Sequence, residues 1–175
     1  MDRKQSRIVV AMGVSGSGKS TLGEALRDRH GFRYVDADTV HPPANVEKMR
    51  AGTPLTDDDR APWLTALASI LLEGAVKGED LVVACSALKT RYREVLSSSA
   101  APVLFAFLAI DRDEVTRRVA ARPEHYMPAS LVDSQFAALE EPEPGPNVLR
   151  LDATRPVEDL CRDVLARLDE RASAG

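Results

Sequence analysis

The segment from Gly13 to Ser20 has the residue types and the spacing of a phosphate-binding loop. Its sequence, GVSGSGKS, places Gly13 four residues before the Gly18-Lys19-Ser20 triplet. Glycines let backbone N–H groups turn toward phosphate oxygens, a lysine reaches the β- and γ-phosphates of a nucleotide, and a serine hydroxyl can hold Mg²⁺. The pattern therefore predicts a nucleotide site with a catalytic Lys19 and with Ser20 on the metal. The residues predicted to bind nucleotide here are Gly13, Val14, Ser15, Gly16, Ser17, Gly18, Lys19, Ser20 and Thr21.

A strand before this loop and a helix after it are needed to position it. Residues Arg7–Met12 are few, apolar and partly β-branched, as in a buried strand, and Lys19–Arg29 has a helical pattern that Gly31 closes. The alternative is a glycine-rich strand-to-helix turn that carries a chance lysine. The loop would hold ATP or GTP, and because the Asn-Lys-x-Asp segment with which GTPases read guanine is absent from the sequence, a phosphoryl-transfer kinase is favoured.

Two carboxylates follow the second predicted strand. Residues Arg33–Asp36 form that strand, so Asp36 and Asp38 stand at its end. In an extended segment, residues i and i+2 point to the same side, and one carboxylate can then reach the metal's water shell while the other meets a substrate hydroxyl. We predict that Asp38 orients and deprotonates the acceptor hydroxyl and that Asp36 supports Mg²⁺. The alternative is a pair of solvated loop aspartates.

Short apolar segments alternate with helical ones along the chain. Strand patterns recur at Leu81–Cys85, Val103–Ile110 and Val148–Leu151, and the Asp57–Asp59 run offers an N-cap for a long helix. Strands separated by helices form parallel βαβ units. The sequence predicts an α/β fold of the P-loop kinase type, with a five-stranded parallel sheet, helices on both faces and one domain over residues 1–175. Ligands bind such sheets beyond the carboxyl ends of the strands.

Composition limits the classes of partner and the location. The chain has 175 residues, a net charge of −4 and an isoelectric point near 5.4, which argues against nucleic-acid or membrane-surface partners because polyanions attract basic faces. Cys85 and Cys161 form no CxxC pair, and we expect both thiols to be reduced and buried. No segment approaches the ~20 apolar residues of a membrane span, so a cytoplasmic location is expected.

Three longer segments carry a resemblance to a known family. They are Asp36–Leu64 (DADTVHPPANVEKMRAGTPLTDDDRAPWL), Val82–Leu96 (VVACSALKTRYREVL) and Phe107–Pro142. With the phosphate loop, they resemble the gluconokinase family, the small P-loop type related in fold to shikimate and nucleoside-monophosphate kinases. The resemblance implies ATP- and Mg²⁺-dependent phosphorylation of D-gluconate at its 6-hydroxyl, giving 6-phosphogluconate and ADP. Relatives are often dimers, so the resemblance also allows a homodimer.

A gluconate site needs a cationic side chain for the carboxylate and several polar groups for the hydroxyls. Lys48 and Arg60 lie in the segment that covers the substrate in related kinases. Arg60 stands near a helix start, where a cation opposes the helix dipole; a salt bridge to Asp57 or Asp58 is the alternative. The residues predicted to bind substrate are Asp38, His41, Lys48, Arg60, Ser86, Ala87, Arg91 and Gln135.

Several of these neighbours have plainer interpretations. His41 fits a loop histidine as well as a ligand contact, and Trp63 fits the core better than a sugar-binding platform. On the helix predicted after the third strand, Lys89 and Arg93 share one face, while Arg91 points elsewhere. At least one of these three basic side chains is expected to lie on a solvated surface.

The family resemblance also implies a lid over about residues 118–130. Arg118 and Arg122 are separated by four residues, so their like charges would meet on one helix face unless an anion arrives. Arg122 would clamp the phosphates as a catalytic residue, and Arg118 would stack on adenine or contact phosphate. His125 and Tyr126 match family positions near the lid or substrate. Pro156, after the last strand, is expected beside the adenine edge.

Two other functions remain open from the sequence. The first is a kinase of another small hydroxy acid, shikimate-like, or of a nucleoside monophosphate. The second is a nucleotide-dependent regulator without turnover, against which the two aspartates and the arginines argue.

Overall fold

The computed structural model describes residues 5–98, 100–122 and 129–175, in which strands and helices alternate as the sequence predicts. The strands are β1 Arg7–Met12, β2 Arg33–Asp36, β3 Asp80–Ala84, β4 Val103–Ala109 and β5 Val148–Asp152. The α-helices are α1 Lys19–His30, α2 Pro43–Arg50, α3 Asp57–Lys77, α4 Thr90–Ser97, α5 Arg112–Ala120, α6 Ala129–Ala138 and α7 Val157–Ser173. A 3₁₀ turn, Ala37–Val40, follows β2.

The five strands form one sheet in the order β2-β3-β1-β4-β5, and every pairing is parallel. In its register, Val10 of β1 lies opposite Val83 of β3 and Phe105 of β4. β1 is central because its residues from Ile8 to Met12 are all apolar and fully buried, which suits a strand covered on both faces. The predicted α/β fold with a five-stranded parallel sheet is confirmed.

Helices cover both faces of the sheet, and the alternation of side chains along β1 divides the core into two layers. Ile8, Val10 and Met12 pack with α3 and α4, whereas Val9 and Ala11 pack with α1 and α7. Each layer contains one of the cysteines, and both are free and buried. Within the described residues, no helix combines the length and apolar character that crossing a membrane requires.

The N-cap of α3 differs from the predicted one. Thr56, not a residue of the Asp57–Asp59 run, caps the helix by accepting a hydrogen bond from the Asp59 backbone N–H at 3.1 Å, and the Asp59 carboxylate accepts one from the Thr56 N–H at 2.9 Å. This reciprocal pair is a capping box. The expectation for the acidic run was therefore wrong by position, although its first-turn carboxylates still face the positive end of the helix dipole.

A close contact between α1 and β2 leads to a stability prediction. A Cβ added at Gly23 would lie 2.4 Å from Cε2 of Tyr34, so we expect Gly23→Ala to lower the free energy of unfolding by about 1–3 kcal/mol through overpacking. Urea denaturation measures this change. The matched control is Gly145→Ala, where a Cβ meets nothing within 4 Å and a change below about 0.5 kcal/mol is expected. Equal effects of the two substitutions would contradict the prediction.

Candidate active site

The phosphate loop, residues 13–20, connects the end of β1 to the start of α1. Gly13, Gly16 and Gly18 have φ values of 149°, 83° and 99°. A Cβ at Gly13 would lie 2.7 Å from the Ser17 hydroxyl oxygen and 3.0 Å from the carbonyl oxygen of Leu108, so only glycine fits there. Gly18 caps α1 without a side-chain hydrogen bond, which leaves first-turn N–H groups of the helix for an anion.

Lys19 folds back over this loop. Its Nζ donates hydrogen bonds to the carbonyl oxygens of Gly13 at 3.1 Å and Val14 at 3.0 Å. Burial lowers the pKa of Lys19, and the nearby charges of Asp36 and Asp38 partly oppose that shift. The ammonium group is thus held where it has few polar partners, an environment that favours exchange of loop carbonyls for phosphate oxygens.

A cavity of about 500 Å³ opens beside the phosphate loop, and we call it the central cavity. It lies beyond the carboxyl ends of β2 and β3, where such sheets bind ligands. It brings together predicted residues from five separate segments of the chain. Its polar and charged lining residues are Ser15, Lys19, Ser20, Asp36, Asp38, Ser86, Arg118, Arg122 and Gln135.

A larger cavity, about 760 Å³, lies over β4 and β5. It shares Val14 with the predicted site but contains neither Lys19 nor the Asp36 and Asp38 pair. Because phosphoryl transfer needs the lysine and an acceptor-side carboxylate in one place, the smaller central cavity is the better candidate.

The two aspartates reach the central cavity by a different route from the predicted extended segment. Asp36 ends β2, and its carboxylate accepts a hydrogen bond from the Asp38 backbone N–H at 2.9 Å. That bond caps the 3₁₀ turn Ala37–Val40, which carries Asp38. The expectation of an extended backbone was wrong because an aspartate that bonds the backbone two residues on starts a turn. Both side chains nevertheless line the cavity.

Trp63 of α3 anchors this turn. Its indole Nε1 donates a hydrogen bond to the Ala37 carbonyl oxygen at 2.7 Å, and the side chain is buried as predicted. The His41 ring stacks on the indole with centroids 4.3 Å apart, and its Nδ1 lies 3.2 Å from Nδ2 of Asn45. Burial lowers the pKa of His41, which favours the neutral imidazole.

Three predicted substrate-binding cations lie on α2, α3 and α4, and each has a partner within the protein. Lys48 Nζ contacts the Asp59 carboxylate at 2.8 Å, and its hydrogen bonds are the main cause that lowers the pKa of Asp59 to about 2. Arg60 Nη1 donates to the Leu55 carbonyl oxygen at 2.8 Å. Arg91 forms an ion pair with Asp57.

Arg118 and Arg122 both line the central cavity, but they do not share a helix face as predicted. α5 ends at Ala120, so Arg122 lies beyond it. Arg118 donates to the Gly16 and Ser17 carbonyl oxygens, both at 3.3 Å, and so braces the phosphate loop from α5. Its Nη2 also reaches the carbonyl oxygen of Ala153, after β5, at 2.7 Å.

The remaining predicted residues are placed as follows. The Gln135 side-chain carbonyl on α6 accepts hydrogen bonds from the Ser15 N–H at 3.2 Å and from its hydroxyl at 3.4 Å, so its contact is with the phosphate loop. Pro156 is the N-cap residue of α7. His125 and Tyr126 lie outside the described residues, as does the middle of the predicted lid.

Comparison with known proteins shows the family to which the chain belongs. A model of the family described as AAA domain matches residues 8–142. The gluconokinase of Gluconobacter oxydans is 44% identical over 149 residues, which cover 85% of this chain and 84% of that protein. The chain belongs to the gluconokinase family.

Solved structures of a gluconokinase and of a sugar kinase share the fold over nearly the whole chain. A crystal structure of a gluconokinase from Sinorhizobium meliloti 1021 is 40% identical, with a TM-score of 0.85, and the match covers 98% of this chain and 96% of that one. A sugar kinase from Janibacter sp., in an unliganded crystal structure, is 42% identical with a TM-score of 0.84, over 94% and 95% of the two chains. The P-loop kinase architecture predicted from the sequence is therefore confirmed.

The oxygen donors of the central cavity fit the Mg²⁺ ion that gluconokinase chemistry implies. Ser20 and Asp36 both line this cavity and offer hydroxyl and carboxylate oxygens, the donors that Mg²⁺ prefers. In the part of the chain that the structure describes, no group of three or more His, Cys, Asp or Glu side chains could hold a metal by itself. Mg²⁺ takes one or two protein ligands together with substrate phosphates and water, so Ser20 and Asp36 are a sufficient protein contribution.

Arg93 is the residue near this gluconokinase site whose environment the sequence did not reveal. At least one of Lys89, Arg91 and Arg93 was expected on a solvated surface, and Arg91 is exposed; Arg93, however, is only 7% exposed. Leu96, three residues later on α4, is buried too. Residues three apart share a helix face, so the apolar Leu96 was a signal that Arg93 points inward.

Proposed function

We propose that this protein transfers the γ-phosphoryl group of ATP to the 6-hydroxyl of D-gluconate, giving 6-phosphogluconate and ADP. The observation that carries the proposal is the central cavity, in which Lys19 and Ser20 of the phosphate loop lie with Asp36 and Asp38. A nucleotide loop and an acceptor-side carboxylate that share one cavity are what phosphoryl transfer requires. The gluconokinase relatives supply the identity of the acceptor.

On the nucleotide side, residues 13–21 bind the phosphates. The Lys19 ammonium leaves the carbonyl oxygens of Gly13 and Val14 for the β- and γ-phosphate oxygens, where it stabilises the charge that develops during transfer. Ser20 and Asp36 would hold Mg²⁺, which when bound neutralises phosphate charge. Arg118 keeps the loop in shape through its two carbonyl contacts, and Pro156 lies toward the adenine.

On the acceptor side, Asp38 orients the 6-hydroxyl in line with the γ-phosphorus and accepts its proton. The position of Asp38 is determined by two contacts of the turn, the Asp36 cap and the Trp63 bond to Ala37. Such double support fixes the backbone that carries Asp38 before substrate arrives, so less freedom is lost on reaching the reactive geometry.

The rest of gluconate extends from Asp38 past Ser86 and Ala87, with His41 and Gln135 among its polar neighbours. Lys48, Arg60 and Arg91, on α2, α3 and α4, are not among the residues that line the central cavity, and we assign them to the acid end of gluconate as a cationic rim. Because each already has a carboxylate or carbonyl partner, the substrate carboxylate must compete with or join these pairs. That competition makes the rim selective for a charged acid end over a neutral polyol.

A test of the Lys48 role follows from its ion pair. We expect Lys48→Met to raise the pKa of Asp59 from about 2 toward its ordinary value, because the main hydrogen-bond donors are lost, and to raise the KM for gluconate by about tenfold. NMR titration of Asp59 and steady-state kinetics at pH 7 measure the two effects.

The matched control for Lys48 is Lys77→Met. Lys77 is also an ion-paired lysine, and its partner is Glu73, four residues earlier on α3. Neither gluconate KM nor the pKa of Asp59 should change in that variant. If the pKa of Asp59 rises in Lys48→Met while the KM for gluconate stays as in the wild type, Lys48 is a structural partner of Asp59 and does not bind substrate.

We also propose that residues 1–175 act as one kinase domain with a lid at about residues 118–130. Arg122, beyond the end of α5, would close on the transferred phosphoryl group, and Arg118 lies at the hinge. Closure would exclude water and so suppress ATP hydrolysis in the absence of acceptor.

A coupled assay of ADP release tests the proposed function. With MgATP and the wild-type chain, we expect ADP release only when D-gluconate is present, and a product that contains phosphate on carbon 6. Shikimate and CMP, offered at the same concentration, should give no release above the background without acceptor. Faster ADP release with shikimate or CMP than with gluconate would show that the acceptor is not gluconate. Slow ATP hydrolysis at the same rate with every acceptor would favour a nucleotide-dependent regulator.

A further inference from the structure

The segment after β3 contains a strained backbone position beside the central cavity. Ala87 has φ of +45°, and no other described non-glycine residue has a positive φ. The left-handed region is unfavourable for an L-residue, and such a conformation persists only where the surroundings hold it. Ser86, one residue earlier, lines the cavity. Contacts with neighbouring residues must therefore hold Ala87 in this conformation.

The guanidinium of Arg93 holds this position from inside the protein. Its Nη1 donates a hydrogen bond to the Ala87 carbonyl oxygen at 2.7 Å. Its Nη2 donates to the Glu140 carbonyl oxygen at 2.8 Å and to the Thr90 hydroxyl at 3.2 Å. A buried charge is costly unless it is well bonded, and the forked guanidinium of Arg93 reaches all three acceptors, which offsets that cost.

Two backbone hydrogen bonds connect the residues on either side of Ala87 to other segments. The Gly13 N–H at the start of the phosphate loop donates to the Ser86 carbonyl oxygen at 3.2 Å, and the Glu140 N–H just after α6 donates to the Leu88 carbonyl oxygen at 2.8 Å. α6 also carries Gln135, which contacts Ser15. Residues 86–88 are thus hydrogen-bonded to the phosphate loop on one side and to the end of α6 on the other, and Ser86 lines the central cavity.

We propose that Arg93 is a positioning residue for the acceptor: it holds Ala87 in the left-handed conformation and ties the end of α6 to it. Ser86 is thereby presented to the central cavity in the orientation that gluconate meets. Arg93 touches neither substrate, since it lies behind the segment, and it acts through Ser86 and Ala87. The kinetic part of this inference rests on the proposed gluconate kinase function.

Loss of the Arg93 guanidinium should weaken the binding of gluconate much more than that of ATP. In Arg93→Gln, the short amide cannot span Ala87 and Glu140, so Ala87 relaxes to negative φ and Ser86 moves. We expect the KM for gluconate to rise at least about tenfold while the KM for ATP changes less than about threefold. Arg93→Lys, which keeps the charge but not the fork, should fall between the wild type and Arg93→Gln.

A second substitution should restore part of the loss. Glycine adopts positive φ without strain, so Ala87→Gly in the Arg93→Gln background should lower the gluconate KM again by about threefold or more. A role confined to general stability would not produce this recovery of KM.

The matched control is Arg167→Gln. Arg167 also donates to two backbone carbonyl oxygens, those of Gly145 at 3.2 Å and Val148 at 3.0 Å, but these lie outside the central cavity. We expect the gluconate KM of this variant to stay within about twofold of the wild type.

Hydrogen exchange of single amides gives a readout that does not depend on the substrate. In Arg93→Gln, the amides of Gly13 and Glu140 should exchange at least about tenfold faster than in the wild type, whereas Arg167→Gln should leave them unchanged. If the wild type proves inactive with gluconate, the proposed function fails, and the exchange result alone decides the positioning role. Unchanged exchange at both amides, or a gluconate KM within twofold of an active wild type, overturns the proposal. If Arg93→Gln does not fold, the same criteria are applied to Arg93→Lys.

Discussion

Asp38→Asn should lower kcat by about 10³-fold while the affinity for nucleotide stays within about threefold of the wild type. Asparagine keeps the size of the side chain and can still contact a hydroxyl, but it cannot accept the proton that leaves when the oxygen attacks phosphorus. The Asp38 backbone N–H still donates to Asp36, so the turn should keep its shape. Steady-state kinetics give kcat, and calorimetric titration with ADP gives the affinity.

Asp58→Asn is the matched control for this substitution. Asp58 lies exposed in the first turn of α3, and its loss should leave kcat within about twofold of the wild type. A fully active Asp38→Asn variant would remove Asp38 from the chemistry and leave it as a solvated loop residue.

Lys19→Met has the second largest expected effect. In the proposed reaction Lys19 faces the phosphates and stabilises charge that increases in the transition state, so kcat/KM for ATP should fall by about 10²–10³-fold. Stability should respond differently. Because burial disfavours the charged form of Lys19, an apolar side chain of similar length should leave the melting temperature of the free protein unchanged or slightly raised.

The combination of a large kinetic loss and an unchanged melting temperature distinguishes a catalytic lysine from a structural one. Scanning calorimetry and the ADP-release assay measure the two quantities on the same preparation, with Lys77→Met as the surface control. A Lys19→Met variant that unfolds at a much lower temperature would show that the contacts with Gly13 and Val14 serve mainly to hold the loop.

The sequence predicted the sheet and the phosphate loop well because both depend on local signals. β1 was bounded correctly at Arg7 and Met12 by its apolar run and the glycine after it. α1 ends at His30, one residue beyond the prediction, where Gly31 stops it. Glycine at positive φ is demanded by backbone geometry alone, and such positions can be identified without knowledge of distant contacts.

Side-chain competition at turns explains the local errors. At α3, Thr56 outcompeted three aspartates for the cap because its partner Asp59 completes a reciprocal box. At β2, the Asp36 carboxylate bonded the Asp38 N–H and converted an expected extended segment into a 3₁₀ turn. Ser, Thr and Asp all favour such local bonds, so a sequence offers several candidate caps without showing which one the backbone uses.

The partners of the basic residues could not be predicted from the sequence. Lys48 meets Asp59 only because α2 packs beside the start of α3, and Arg91 meets Asp57 only because α4 lies against the same helix. The buried Arg93 donates to the carbonyl oxygens of Ala87, 6 residues away, and Glu140, 47 residues away. Periodicity indicates which face of a helix is buried, but it does not identify the carbonyl oxygens that this face contacts.

A crystal structure of the protein with D-gluconate and an unreactive ATP analogue tests the central claim most directly. The account predicts that the 6-hydroxyl oxygen lies within about 3 Å of an Asp38 carboxylate oxygen and points at the γ-phosphorus, with Lys19 on the phosphates. Gluconate bound with its carboxylate end toward the γ-phosphate, or bound outside the central cavity with Asp38 facing solvent, would contradict it.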